Sequence, residues 1–121
     1  MGKIAIITYL GLYSNRTIHK NYVVDASNII LEEKLHKKNG FERQRILEIR
    51  EKGTNRILWN GYENHLNIIN SKGDEIDVYY SDYGGYSVKK YLSTISSYEY
   101  LSNISSYELS VDIYKLILQD M

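Results

Sequence analysis

The chain has 121 residues, a formal net charge of zero, 43% hydrophobic and 25% charged residues, 13 tyrosines, and neither cysteine nor proline. Such a composition excludes a disordered or fibrous chain, the lack of cysteine excludes disulfides and thiolate metal sites, and zero net charge argues against sequence-independent binding of long duplexes. This length fits one domain, expected to be a single α+β domain over residues 1–121. No apolar run is long enough to span a bilayer, and residues 4–12 lack a basic leader and a small-residue cleavage site. A cytoplasmic location with no membrane partner is therefore expected. Charge is uneven: residues 1–59 carry 11 Lys/Arg against 6 Asp/Glu, and residues 60–121 carry 4 against 9. The richness in Ile, Lys, Asn and Tyr, with scarce Ala, follows AT-rich codons and points to a low-GC bacterium or its phage.

Residues 3–10 (KIAIITYL) are almost continuously apolar and β-branched, so they read as a strand buried on both faces or paired across an oligomer interface. A loop over 11–17 leads to a second strand over 18–24, ending at Asp25. Ser27 then fits the N-cap of a helix running to Lys38, with Glu32 and Glu33 early, Lys37 and Lys38 late, and Asn39-Gly40 as the stop. Within it His36 reads as a cation at the helix C-terminus, and His19 stands alone. No spacing of histidines suits a metal, so neither metal nor cofactor is expected.

Residues 45–83 predict a four-stranded antiparallel meander, the centre of a sheet of about four to six strands. Lys52-Gly53-Thr54 reads as a hairpin loop placing Ile49 opposite Ile57 and Leu47 opposite Trp59. Asn60-Gly61 is the strongest two-residue hairpin signal and would pair Trp59 with Tyr62. The loop over 70–74 sets Ile68 opposite Ile76 and Leu66 opposite Val78. The buried face so defined holds Leu47, Ile49, Ile57, Trp59, Tyr62, Leu66, Ile68, Ile76, Val78 and Tyr80. Side chains alternate along a strand, so the opposite face carries a lateral row of Arg50, Arg56, His65 and Tyr79. Opposed like charges in a sheet cost up to roughly 1 kcal/mol unless Glu48, Glu63 or a bound anion compensates. The plain alternative is a solvated face with diagonal ion pairs.

Tyr83 and Tyr86 flank Gly84-Gly85 in a stretch written in Tyr, Ser and Gly, the vocabulary of adaptable recognition surfaces, and extend the row at its edge. Val88, Tyr91, Leu92 and Ile95 follow at helical spacing. Two copies of Ile-Ser-Ser-Tyr-Glu each contain a capping box, Ser96 with Glu99 and Ser105 with Glu108, and read as two helix starts. The last helix, over 106–119, is apolar on more than one side. With residues 4–10 it motivates a homodimer.

For catalysis, Asp77 opposite Asn67 with His65 on the same face is the best constellation. It lacks a nucleophile and oxyanion donors, so the protein is not expected to be an enzyme. The leading expectation is a non-catalytic binding protein that inhibits a bacterial defence system, by masking a protein or ribonucleoprotein or by sequestering an anionic nucleotide. A nucleic-acid binder using an Arg/Tyr sheet face is the runner-up. An immunity or antitoxin partner and a structural phage component are further alternatives. The expected site is Arg50, Arg56, His65, Tyr79, Tyr83 and Tyr86.

Overall fold

The computed structural model of the chain describes residues 2–10, 16–38, 42–62, 65–80 and 85–121. In chain order the strands are β1 (Lys3–Leu10), β2 (Thr17–Asp25), β3 (Ile29–Lys38), β4 (Glu42–Glu51), β5 (Ile57–Asn60), β6 (His65–Ile69), β7 (Glu75–Tyr80), β8 (Tyr86–Leu92) and β9 (Ser97–Ile104), followed by helix α1 (Ser106–Leu118). Every pairing is antiparallel. Six strands form one sheet in the order β2-β1-β6-β7-β8-β9, and three form a second, β3-β4-β5. One hydrophobic cluster unites them, drawing Ile4, Ile6, Leu66, Ile68, Ile76, Val78 and Val88 from the large sheet, Leu47, Ile49 and Trp59 from the small one, and Leu109, Ile113, Leu116 and Ile117 from α1. The fold is thus α+β, with more strand and less helix than the sequence suggests.

Among the described residues no α-helix forms in the N-terminal half, where Ala26–Asn28 makes only a short 3-10 turn. Residues 29–38 are β3, paired with β4 through ten consecutive partners. Leu31 and Leu35 are four apart, a spacing that serves a helical stripe and one face of a strand equally, and long-range pairing decides against local propensity. Opposite charges reinforce the choice: Arg50 on β4 is paired with Glu32 on β3, and Lys34 Nζ lies 3.0 Å from Glu48 Oε1. The spacing from Val88 to Ile95 misleads in the same way. Tyr86 and Val88 are buried around an exposed Ser87, the period-two pattern of a strand. The first capping box also fails: Ser96 takes a positive φ of 47° in the turn between β8 and β9, where Leu92 pairs with Ser97. The second holds, with Glu108 N–H donating to Ser105 Oγ at 3.1 Å, and α1 follows where expected.

The meander is half realised. Between β6 and β7 the register is the expected one, with Leu66 opposite Val78 and Ile68 opposite Ile76. Gly73, at φ 86°, closes the loop, and the Asn70 side-chain oxygen accepts from the N–H groups of Lys72 and Asp74. Between β4 and β5 a bulge puts Ile49 opposite Trp59 and Arg50 opposite Ile57, so Leu58 is buried and Ile57 exposed. At Asn60-Gly61 no hairpin forms. A type I′ turn needs positive φ at both central residues, and neither Asn60 nor Gly61 has it. Instead the chain leaves the small sheet here, β6 pairs with β1 and β7, and Tyr62 is exposed. Gly61 is required for close approach: a Cβ there would run into the Leu47 carbonyl oxygen and the Tyr86 hydroxyl.

Tyr86 joins the two sheets. Its hydroxyl donates to Gly61 O and accepts from Leu47 N–H, both at 3.0 Å, and its ring packs near Trp59 and Tyr80. Strand β1 is paired on both edges, by β2 and β6, and Ile4 and Ile6 are fully buried. Its apolar run is thus used within the chain, whereas α1 leaves Tyr107, Tyr114 and Leu118 exposed.

Burial pushes the Tyr86 hydroxyl up to about 12 from 10.0, against the hydrogen bond from Leu47, which favours ionisation. Because the folded value is raised, the stability that Tyr86 supplies is full below pH 10 and is lost as pH rises from 10 to about 12. Tyr86→Phe orphans two buried backbone groups and should lower the unfolding free energy by about 2–6 kcal/mol, at roughly 1–3 kcal/mol per group. Urea denaturation at neutral pH measures this loss. Repeated toward pH 12, the same titration should bring wild type and variant together. A loss below about 1 kcal/mol would show that the hydroxyl is not the joint between the sheets.

Candidate functional site

Alternation puts every second side chain of the six-stranded sheet on the face away from the core. Register then sets them in rows. Tyr9, His65, Tyr79 and Ser87 stand opposite one another on β1, β6, β7 and β8, and the next row holds Ile7, Asn67, Asp77, Lys89 and Tyr100. His65 is the hub of the first row. Its ring lies between those of Tyr9 and Tyr79, with centroids at 4.8 and 4.0 Å and interplanar angles of 23° and 14°. Although on the outer face, it is only 1% exposed.

Both imidazole nitrogens are engaged. Arg16, just before β2, places Nη1 2.8 Å from Nδ1 and 3.2 Å from Nε2. A guanidinium only donates, so the nearer Nδ1 accepts. The ring hydrogen then sits on Nε2, which donates to Asp77 Oδ1 at 2.9 Å. Asn67 Nδ2 donates to the same oxygen at 2.8 Å. Burial pushes the Asp77 carboxyl up, yet the hydrogen bonds from His65 and Asn67 and the nearby charge of Arg16 together hold it below its usual 3.8. Oδ2 accepts no hydrogen bond among the described residues.

Beside this cluster lies a cleft of about 360 Å³ lined by Arg16, Asp77, Tyr79, Ser87, Lys89, Tyr100 and Ser102, among others. Its volume is near the lower end of the roughly 300–1,000 Å³ usual for small-ligand sites. Two cations border it, and neither has a carboxylate within 4.0 Å among the described residues. Arg16 lies 4.4 Å over the Tyr9 ring. Lys89 Nζ lies 4.4 Å over Tyr98 and 5.9 Å over Tyr100. A cation–π contact at an exposed site gives about 0.5–1 kcal/mol, less than the roughly 1.5–3 kcal/mol of a hydrogen bond to a charged group. An entering anion therefore outcompetes the rings for Lys89.

Of the residues expected from sequence, His65 and Tyr79 are brought together in the register anticipated, and Asp77 stands opposite Asn67 as expected. The arginines are not beside them. That row needed β5 next to β6, and the chain changes sheet at Gly61. Arg50 faces Ile57 instead of Arg56 and is neutralised by Glu32 and Glu48. Arg56 contacts Glu51 at 3.3 Å and lies 4.4 Å over Tyr22. The opposed arginine pair that called for an anion thus does not exist. Tyr86 is a core residue, and Tyr83 lies outside the described residues. Sequence reasoning missed Arg16, Tyr9, Lys89 and Tyr100. Tyr9 and Arg16 reach His65 only through the β1–β6 pairing, for which no local signal exists. Lys89 and Tyr100 were hidden by assigning their segments to helices.

No protein-family model matches the chain, and neither a curated protein nor a solved structure matches it significantly. Among the described residues no group of three or more His, Asp or Glu could hold a metal ion, and no helix is long and apolar enough to cross a membrane.

His65→Phe keeps a flat ring between the tyrosines but removes the hydrogen bond to Asp77. The Asp77 carboxyl should then titrate at higher pH than in the wild type, as carboxyl-carbon NMR would detect. Because the folded value is depressed, the stabilisation linked to Asp77 is present above 3.8 and lost as pH falls through the folded value. The variant should lose that part of the acid dependence. An unchanged Asp77 titration would contradict the assigned hydrogen bond.

Proposed function

We propose that the protein is a non-catalytic binding protein that sequesters an anionic nucleotide in the outer-face cleft. The observation that carries this is the pair of cations, Arg16 and Lys89, bordering a cleft with exposed aromatic rings and no carboxylate partner of their own among the described residues. Phosphate satisfies both cations, Ser87 and Ser102 offer hydroxyl donors, and the Tyr100 ring, 71% exposed, offers a face on which a base can stack. The non-catalytic assignment is supported by His65, whose two nitrogens and two ring faces are all taken within the protein. No lone pair remains for general-base work. Of the two inhibitory modes that the sequence leaves open, masking a macromolecule or sequestering a nucleotide, a concave cleft of small-ligand size supports sequestration. In a low-GC bacterium or its phage, the role is withdrawal of a nucleotide on which a defence system depends.

A second reading, short single-stranded nucleic acid, is favoured by one specific observation. Tyr91, Tyr98 and Tyr100 continue beyond the cleft, with successive ring centroids 4.9 and 6.5 Å apart. Such a series suits consecutive bases.

Calorimetric titration with ribonucleoside monophosphates should give saturable binding that weakens with added salt. Lys89→Glu should reduce the affinity about tenfold or more, the factor belonging to one charge-assisted hydrogen bond, while the circular dichroism spectrum is retained. Absence of binding to any nucleotide, or an unaffected Lys89→Glu, would refute the assignment. Much tighter binding of an oligonucleotide than of its monomers would move it to the second reading.

A further inference from the structure

We infer that the cleft selects nucleotides whose base presents an exocyclic amino group, cytosine above uracil, through the Oδ2 atom of Asp77. The inference rests on the nucleotide reading above and adds the part of the ligand that reading leaves open. A carboxylate on the wall of an anion site is otherwise a poor choice, since it repels the phosphate that Arg16 and Lys89 attract. Its position is imposed by the sheet: Asp77 stands opposite Asn67 on one side and Lys89 on the other. Its first oxygen is committed, accepting from His65 Nε2 and Asn67 Nδ2. Those bonds anchor the first oxygen, and the second oxygen takes no donor from the described residues. The side chain is 23% exposed.

Asp77 stays ionised at neutral pH, its carboxyl held low by the His65 and Asn67 hydrogen bonds and by Arg16 against the effect of burial. It is therefore an obligate acceptor. Cytosine offers its amino group at the position where uracil offers a carbonyl oxygen. The first makes a charge-assisted hydrogen bond to Oδ2, while the second sets two acceptors against each other. At about 360 Å³ the cleft is of small-ligand size, so the discrimination concerns a single base.

The full-length protein is titrated calorimetrically with cytidine monophosphate and uridine monophosphate, which match in size and phosphate charge. Cytidine monophosphate should bind about tenfold or more tighter. Asp77→Asn keeps the shape but places an amide N–H₂ where Oδ2 was. Its preference should shift toward uridine monophosphate, whose carbonyl accepts that donor. Equal affinities of the wild type for the two ligands would overturn base selection and leave the nucleotide reading standing. Failure of both ligands to bind would overturn base selection, and with the remaining ribonucleoside monophosphates also silent it would overturn the nucleotide reading as well. An Asp77→Asn protein that is folded by circular dichroism and keeps the full cytidine preference would remove Asp77 from the recognition.

Discussion

The Tyr86 hydroxyl is the interaction on which the rest of the arrangement depends. Leu47 N–H and Gly61 C=O are buried backbone groups where the chain passes between sheets, and a backbone group left unpaired there costs about as much as a lost hydrogen bond. One phenol satisfies both. Its presence lets the chain depart at Gly61 instead of turning back, and the departure leaves β6 free to lie between β1 and β7. That placement sets Tyr9 beside His65 and brings Arg16 within hydrogen-bonding reach of the imidazole. A core contact thereby determines what stands on the opposite face of the large sheet.

Charge is distributed by the same topology. The N-terminal half carries the excess of cations, and much of it is spent internally: Lys34 and Arg50 both reach Glu48, which is 4% exposed. Two cations on such a carboxylate offset the cost of desolvating it. Among the described residues Arg16 and Lys89 have no carboxylate within 4.0 Å and lie against aromatic rings and, for Arg16, an imidazole, while Asp77 is the carboxylate that lines the same cleft. Zero net charge thus coexists with a local excess of positive charge among the described residues of the cleft, where two cations accompany one carboxylate, and ligand affinity follows the local field more than the total.

How much was legible follows from how local each signal is. Residues 65–80 could be read to the exact register because alternation, a Gly-closed loop and facing apolar residues all fall within sixteen residues. The Ser105 box marked the start of α1 because a cap involves only residues three apart. The β3 strand was illegible since Leu31 and Leu35 fit both periods and β4, which decides between them, is a partner rather than a neighbour. Asn60-Gly61 carried a true glycine requirement of the wrong kind: close approach to Leu47 and Tyr86 instead of a turn. Half of the expected row survived for the same reason. His65 and Tyr79 belong to one hairpin, while Arg50 and Arg56 could join them only if the chain stayed in one sheet.

The central claim is that the ligand face is the Arg16–Asp77–Lys89–Tyr100 cleft and not the arginine-bearing strands of the small sheet. Amide chemical shifts of the labelled protein, followed during titration with cytidine monophosphate, test it most directly. The account predicts saturable shifts concentrated at Asp77, Ser87, Lys89, Tyr100 and Ser102, with Arg50 and Arg56 unmoved. Shifts centred on Arg50 and Arg56, or none at the cleft, would contradict it.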